Sequence, residues 1–317
     1  MVVKRVNRSK AKRGKKKPVA RRKPSAKAAA PALPTEMSEP EVDISRYVIL
    51  IYGRSGIGKT TLCASFPKAI FFSTEPGTKG LRRYEYNAEN GGVQDWETLR
   101  QGISALEVDN GQHFKTVVID TISVAYDLCA QWVCEKFGVE HMTDVGYGKA
   151  WAALKTEFTD QLFRIVRAGY GLVMTCHSQF SKISKHDGDE YDIIQPTLKN
   201  AALEVIKSVT DCMFYCEFVK RAGDTDAKRI LITQGDDLVM AKARGDDWPR
   251  FLPMLEHNGY EVIRDAFAGE YAGLSADEIR MSKETHKSAR ASINASKAKK
   301  RMVKKGGQKA VRRNRRK

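Results

Sequence analysis

The stretch Tyr47-Val48-Ile49-Leu50-Ile51-Tyr52-Gly53-Arg54-Ser55-Gly56-Ile57-Gly58-Lys59-Thr60-Thr61 changes character twice. Its first part is continuously apolar, as a strand buried on both faces should be. Its middle is glycine-rich, and from Lys59 a helical pattern runs to Phe66. Gly53, Gly56 and Gly58 let the backbone curl so that N–H groups turn inward around phosphate oxygens. Lys59 can then reach β- and γ-phosphates, Thr60 can hold Mg²⁺, and the helix N-terminus adds favourable partial charge. A preceding strand and a following helix are the context that makes this a P-loop. Gly53, Arg54, Ser55, Gly56, Ile57, Gly58, Lys59, Thr60 and Thr61 are therefore expected to bind ATP with magnesium.

Outward from this loop, short apolar runs alternate with helical patterns. Strands are expected at 46–53, 69–74, 115–120, 172–176, 212–219 and 229–233. Helices are expected at 59–66, 96–106, 123–137, 149–168 and 201–209. Val124, Leu128 and Trp132 mark one face of the 123–137 helix. Trp151, Leu154, Phe158, Leu162 and Ile165 mark one face of the longest helix, which Gly169-Tyr170-Gly171 stops. The polar stretch 178–200 contains the turn signal His186-Asp187-Gly188-Asp189 and suits a hairpin. Alternation of this kind predicts an α/β fold with a parallel-rich sheet between helices and right-handed crossovers.

Charge divides the 317 residues differently. Residues 1–34 hold 13 Lys and Arg and no acid, and residues 282–317 hold 15 with the single acid Glu284. Against a chain total of +17, ends of +13 and +14 leave −10 for the middle. The expected organisation is a disordered basic segment and linker over 1–40, a P-loop ATPase domain over 41–281, and a second disordered basic segment over 282–317. Neither end has the apolar periodicity to offset chain entropy. Polycations of this kind bind nucleic acid by releasing its counterions. No run is long enough to span a membrane. The six cysteines form no Cys-x-x-Cys pair, which argues against zinc and for reduced thiols in a cytoplasmic protein.

Beyond the loop, Asp120 ends a strand after Val117-Val118-Ile119, the position of a carboxylate that holds Mg²⁺ with Thr60. Thr121 follows it, where many ring ATPases place a glutamate, so the water-activating base must come from elsewhere or be absent. Glu75 ends the second strand, and strand C-termini line the ligand crevice of such sheets. It is the best candidate for a general base. His177 and Ser178 follow the fourth strand on the same expected rim, as candidate sensors of the γ-phosphate.

The strand and P-loop, Glu75, Asp120-Thr121-Ile122 and Thr175-Cys176-His177-Ser178 together resemble RecA-like ATPases. The likeness is nearest to phage-encoded P-loop proteins of the Sak and RecA type, used in recombination and single-strand annealing. Tyr147-Gly148-Lys149 before the long helix and Ala241-Lys242-Ala243-Arg244 also match that group, and the likeness covers about 41–255. It implies ATP hydrolysis at interfaces of a homo-oligomer acting on nucleic acid, in the host cytoplasm for a phage protein. Lys242 and Arg244, alternate residues of a strand, project together. The resemblance implies that they reach a neighbour's γ-phosphate from the sheet's far edge. Asp246-Asp247-Trp248-Pro249 departs from the pattern there. Lys182, Lys185 and Tyr191 could track a single strand, but Asp187, Asp189, Glu190 and Asp192 oppose phosphate, which favours a solvated hairpin. Two rival functions remain. One is ATP-gated DNA binding or loading with negligible hydrolysis. The other is a nucleotide or small-molecule kinase, whose basic cluster could only be Lys220-Arg221 with Lys228-Arg229.

Overall fold

The computed structural model describes residues 36–76, 80–184, 190–219, 227–245, 248–254 and 258–271, without the side chains of 183, 184 and 190. The chain forms two units, 1–40 and 41–317. Of the first only 36–40 are described, and they are exposed. The basic segments expected at 1–34 and 282–317 lie outside the described residues.

The apolar run before the glycines forms β1 (Val48–Gly53), buried at every position. The chain continues through α1 (Lys59–Ala64), β2 (Ala69–Ser73), the short β3 (Tyr84–Glu85) and α2 (Trp96–Asp109). Next come β4 (Thr116–Asp120), α3 (Ile122–Phe137), α4 (Lys149–Arg167) and β5 (Gly171–Cys176). A hairpin follows, β6 (Ser178–Ser184) against β7 (Glu190–Pro196), in place of the polar stretch. The remainder is α5 (Asn200–Val209), β8 (Cys212–Val219), β9 (Lys228–Ile232), β10 (Phe251–Pro253) and α6 (Gly259–Phe267).

Among the described residues eight strands make one sheet, in the order β10-β9-β8-β1-β5-β4-β2-β3. The six from β8 to β3 are parallel; β9 and β10 join antiparallel. This is the parallel-rich α/β architecture expected. Register brings the C-terminal ends together, with Gly53 beside Cys216, Tyr52 beside Cys176, and Ser73 beside Asp120.

Alternation along the strands splits the core in two. Leu50, Tyr52, Phe72, Ile119, Met174 and Tyr215 lie with buried residues of α2, α3, α4 and α5. Ile49, Ile51, Phe71, Val118, Val173 and Phe214 lie with those of α1 and α6. Each large apolar side chain buried this way contributes about 1.5–3 kcal/mol.

Two helix faces differ from expectation. In α3 the buried line is Ile122, Ala125, Tyr126, Cys129 and Val133. Val124, Leu128 and Trp132 form its half-buried flank, where Lys136 lies 3.9 Å from the Trp132 ring centroid. In α4 the stripe runs from Ala150 through Leu154, Phe158 and Leu162, and Trp151 is 43% exposed. Both helices carry apolar residues on adjacent lines, so periodicity alone admits either rotation.

The hairpin is tied to the sheet by the strand that feeds the glycine loop. The Tyr52 hydroxyl reaches Ile194 O (3.2 Å) and Met240 O (2.6 Å), while Met240 N donates to Ile194 O and Ile194 N to Leu238 O. Among the described residues no helix is long and apolar enough to cross a membrane.

Candidate nucleotide site

Gly53 and Gly58 show why the loop is rich in glycine. A Cβ on Gly53 would stand 2.7 Å from Cys216 O, because β8 runs directly alongside. Gly58 has φ +99°, a left-handed conformation that costs other residues about 1 kcal/mol or more. Between them Ile57 is fully buried and roots the loop in the α1–α6 side of the core. Arg54 and Ser55 are exposed, and Thr60 and Thr61 open α1 half-buried.

Lys59 is buried and donates to Gly53 O (3.0 Å) and Arg54 O (2.9 Å). Its ammonium thus hangs over the loop's own carbonyls. Burial lowers its pKa from the usual lysine value, with the charge of Asp120 among the opposing influences.

Asp120 stands at the end of β4 with both oxygens engaged. Thr60 Oγ1 donates to Oδ2 at 2.8 Å, and the fully buried Thr175 donates to Oδ1. A hydroxyl and a carboxylate oxygen in contact at the mouth of a glycine loop are hard donors of the kind Mg²⁺ takes, with nucleotide phosphates completing its shell. The cradle and these donors fit ATP with Mg²⁺, which Thr60 and Asp120 would hold.

Next to Asp120 a polar latch joins the ends of β4 and β2. Thr74 N donates to Asp120 O (2.8 Å), Thr121 N to Thr74 Oγ1 (2.8 Å), and Thr74 Oγ1 to Thr121 O (3.0 Å). Thr121 Oγ1 donates to Glu75 Oε1 at 2.9 Å, and Ser123 Oγ lies 3.2 Å from it. The other Glu75 oxygen faces His177 Nε2 at 3.8 Å. Glu75 and His177 are each a little over one-third exposed. Glu75, Asp120, Thr60, Lys59 and His177 therefore share one rim, and Ser178 opens β6 beside His177, paired with Pro196.

Lys242 and Arg244 lie elsewhere. Lys242 pairs by its backbone with Met213, beside the start of β8, whereas the outermost strand on that side is β10. Its ammonium donates to Lys207 O (2.8 Å) and Thr210 O (2.5 Å), covering the end of α5. Arg244 is 71% exposed and pairs with Asp211 at 3.1 Å. The same Asp211 carboxylate accepts from Val48 N at the beginning of β1. Five residues at about 3.3 Å each separate that end of β1 from Gly53, roughly 16 Å. The expected far-edge position is thus corrected: the pair sits at the start of β8, away from the P-loop rim, because the segment after β9 turns back along β8. Lys185, the acids 187 and 189, and Lys220-Arg221 lie outside the described residues.

Three residues have places at the site that the sequence reading did not give them, although Arg229 stood in the kinase's basic cluster and Thr175 in the RecA-like stretch. Thr175 orients Asp120 across two strands. Arg229 brings its guanidinium to Gly58, where an added Cβ would stand 2.7 Å from Nη1. Glu217 is buried two residues from the end of β8, and burial pushes its carboxyl up to about 7 against the pull of Arg54. The last had a signal, an acid inside the apolar run 212–219. The buried Cys63, Cys176 and Cys216 line the same region; burial holds their thiols protonated, Cys176 at about 11 and Cys216 at about 12.

The chain is 20% identical over 157 residues to the SPbeta prophage-derived protein YorG of Bacillus subtilis (strain 168). That match takes in 49% of this chain and 48% of the relative, so the chain spans about half the relative's length. Among solved structures it is similar to the KaiC-like protein PH0186 of Pyrococcus horikoshii OT3, with 13% identity and a TM-score of 0.36, over 67% of this chain and 88% of the other. It is similar also to the flagellar accessory protein FlaH of Methanocaldococcus jannaschii, with 14% identity and a TM-score of 0.36, over 66% and 84%. Residues 45–245, from the start of β1 past the Lys242 segment, match the family described as AAA domain (AAA_24), and the chain belongs to that family.

Proposed function

We propose that this protein hydrolyses ATP with magnesium in an assembly of its own copies, and couples the cycle to nucleic acid held by its basic ends. The convergence of Lys59, Thr60, Asp120 and Glu75 on one rim supports its hydrolytic part, and the charge of the two ends its nucleic-acid part. Bound Mg²⁺ would neutralise charge on the phosphates. Lys59 exchanges the carbonyls of Gly53 and Arg54 for phosphate oxygens. Glu75, oriented by the Thr121 hydroxyl, accepts a proton from the attacking water. His177, beside it, would hydrogen-bond the γ-phosphate, with Ser178 as its neighbour on the chain.

A RecA-like recombination or single-strand annealing role is supported by the acid at the end of β2, the parallel sheet and the prophage origin of one relative. Arg244, far from its own P-loop, would serve only the phosphate of another copy. Lys242, engaged by α5, is the weaker half of that pair. Thr121, where a second acid would stand, favours a second reading of ATP-gated DNA binding with negligible hydrolysis. Turnover of ATP with and without single-stranded DNA separates the two. Glu75→Gln should keep ATP binding and lower turnover by about two to four orders of magnitude. Normal turnover in that variant would return Glu75 to an ordinary loop acid. Removing 1–34 and 282–317 should weaken DNA binding and flatten its salt dependence.

A further inference from the structure

The rim has two sides, and the residues assigned above use only one. In the order β9-β8-β1-β5-β4-β2, Asp120 and Glu75 lie on the β4–β2 side of the P-loop strand. With a metal ion and γ-phosphate held by them, a nucleoside extending to the opposite side would meet β8 and β9. On that side Arg229 of β9 faces Phe218 of β8 across the ladder. Gly58, where α1 begins, is where its guanidinium arrives. A Cβ there would be 2.7 Å from Nη1, 3.9 Å from Cζ and 3.6 Å from Cε of Met254. Met254 is buried and its backbone N–H donates to Arg229 O at 2.9 Å, so the two side chains are presented together. The bare Cα of Gly58 thereby leaves room for the guanidinium to lie against the loop.

We infer that Arg229 and Met254 form the nucleobase wall of the site, the guanidinium plane stacking on a purine and the thioether closing the apolar edge. A planar, weakly hydrated cation stacks on aromatic faces as an ammonium cannot. A thioether is polarizable and suits a ring edge. The inference rests on the P-loop reading and names the part of the nucleotide that loop glycines do not recognise.

Binding of ATP, ADP and inorganic tripolyphosphate to the full chain tests it, at fixed salt, with Lys59→Ala as reference. Arg229→Ala and Met254→Ala should weaken ATP and ADP about five- to thirtyfold. Tripolyphosphate should be unaffected. Arg229→Lys, which keeps the charge, should lose nearly as much as Arg229→Ala. If tripolyphosphate weakened in parallel, or if Arg229→Lys bound ATP normally, Arg229 would be a phosphate ligand and the base wall would be overturned. Unchanged ATP binding in Arg229→Ala would overturn it equally. Lys59→Ala binding ATP as well as the parent would instead defeat the P-loop reading. Thermal unfolding without nucleotide identifies a misfolded variant, and Arg229→Lys with Met254→Ala then carries the test.

Discussion

Replacing Thr175 by Val should loosen Asp120 while leaving the P-loop intact. The Thr175 hydroxyl is fully buried on β5 and donates to Asp120 Oδ1, and Thr60 donates to the other oxygen at 2.8 Å. Asp120 is only 8% exposed, so water cannot readily replace the lost donor. A hydrogen bond to a charged group is worth about 1.5–3 kcal/mol net. Valine keeps the shape but not the hydroxyl. The variant should therefore lose about 2 kcal/mol, or about 4–8 °C of Tm for a domain of this size. Thr175→Ser, which keeps the donor, should lose less. Urea unfolding of Thr175→Val, Asp120→Asn and the double variant should give a coupling energy of about 1–2 kcal/mol. The magnesium concentration for half-maximal turnover should rise about tenfold, as expected when a metal ligand loses its orienting partner. A coupling below about 0.5 kcal/mol together with an unchanged magnesium dependence would refute the reasoning.

Burial pushes Glu217 up to about 7 from 4.5. Between those values the folded chain holds a proton the unfolded chain has released, so this stabilisation is present below about pH 4.5 and lost as pH rises toward 7. Glu217→Gln should gain about 3 kcal/mol over the parent above pH 7 and nothing below pH 4.5; a gain independent of pH would exclude burial as the cause. Lys242→Met uncovers two carbonyls at the end of α5 and should cost about 1–2 kcal/mol in urea unfolding; unchanged stability would leave Lys242 free for a role at an interface. Arg244→Ala removes an exposed pair with Asp211 and should cost under about 1 kcal/mol. If Arg244 serves a neighbouring copy, mixing it with Lys59→Ala should restore part of the ATPase rate; no recovery in co-assembled mixtures would exclude that role.

The elements that local pattern determines were legible in advance. The loop, its strand and its helix lie within the seventeen consecutive residues 48–64, and Asp120 ends an unbroken apolar run. Glu75 could be placed because strand ends share a rim whenever the sheet is parallel. Thr175 and Arg229 depend on which strand lies beside which, and no window of sequence carries strand order. The Lys242 segment was misplaced for the same reason: only the return along β8 decides which end of the sheet it meets. Helix α6 is short, and although its buried Val262, Ile263 and Ala266 have helical spacing, three positions over nine residues make a weak periodic signal. Trp151 and the face of α3 failed differently, by a rotation of one residue that helical periodicity barely resolves.

The hydroxyl of Tyr52 gives the β6–β7 hairpin a mechanical character. Tyr52 immediately precedes the first glycine of the loop, and it holds one carbonyl from β7 and one from the segment that carries Lys242. A hairpin hinged at both ends would swing without disturbing the loop. This one is bolted at its root to the strand beneath the phosphates, and Lys242 pins the adjoining segment to α5. A load carried by β7 at Ile194 therefore has a short path through Tyr52 to Gly53, and a load on Gly53 has the same path back. The buried phenol, with the backbone bonds between Ile194 and the 238–240 segment, makes the root of the hairpin a clamp rather than a hinge.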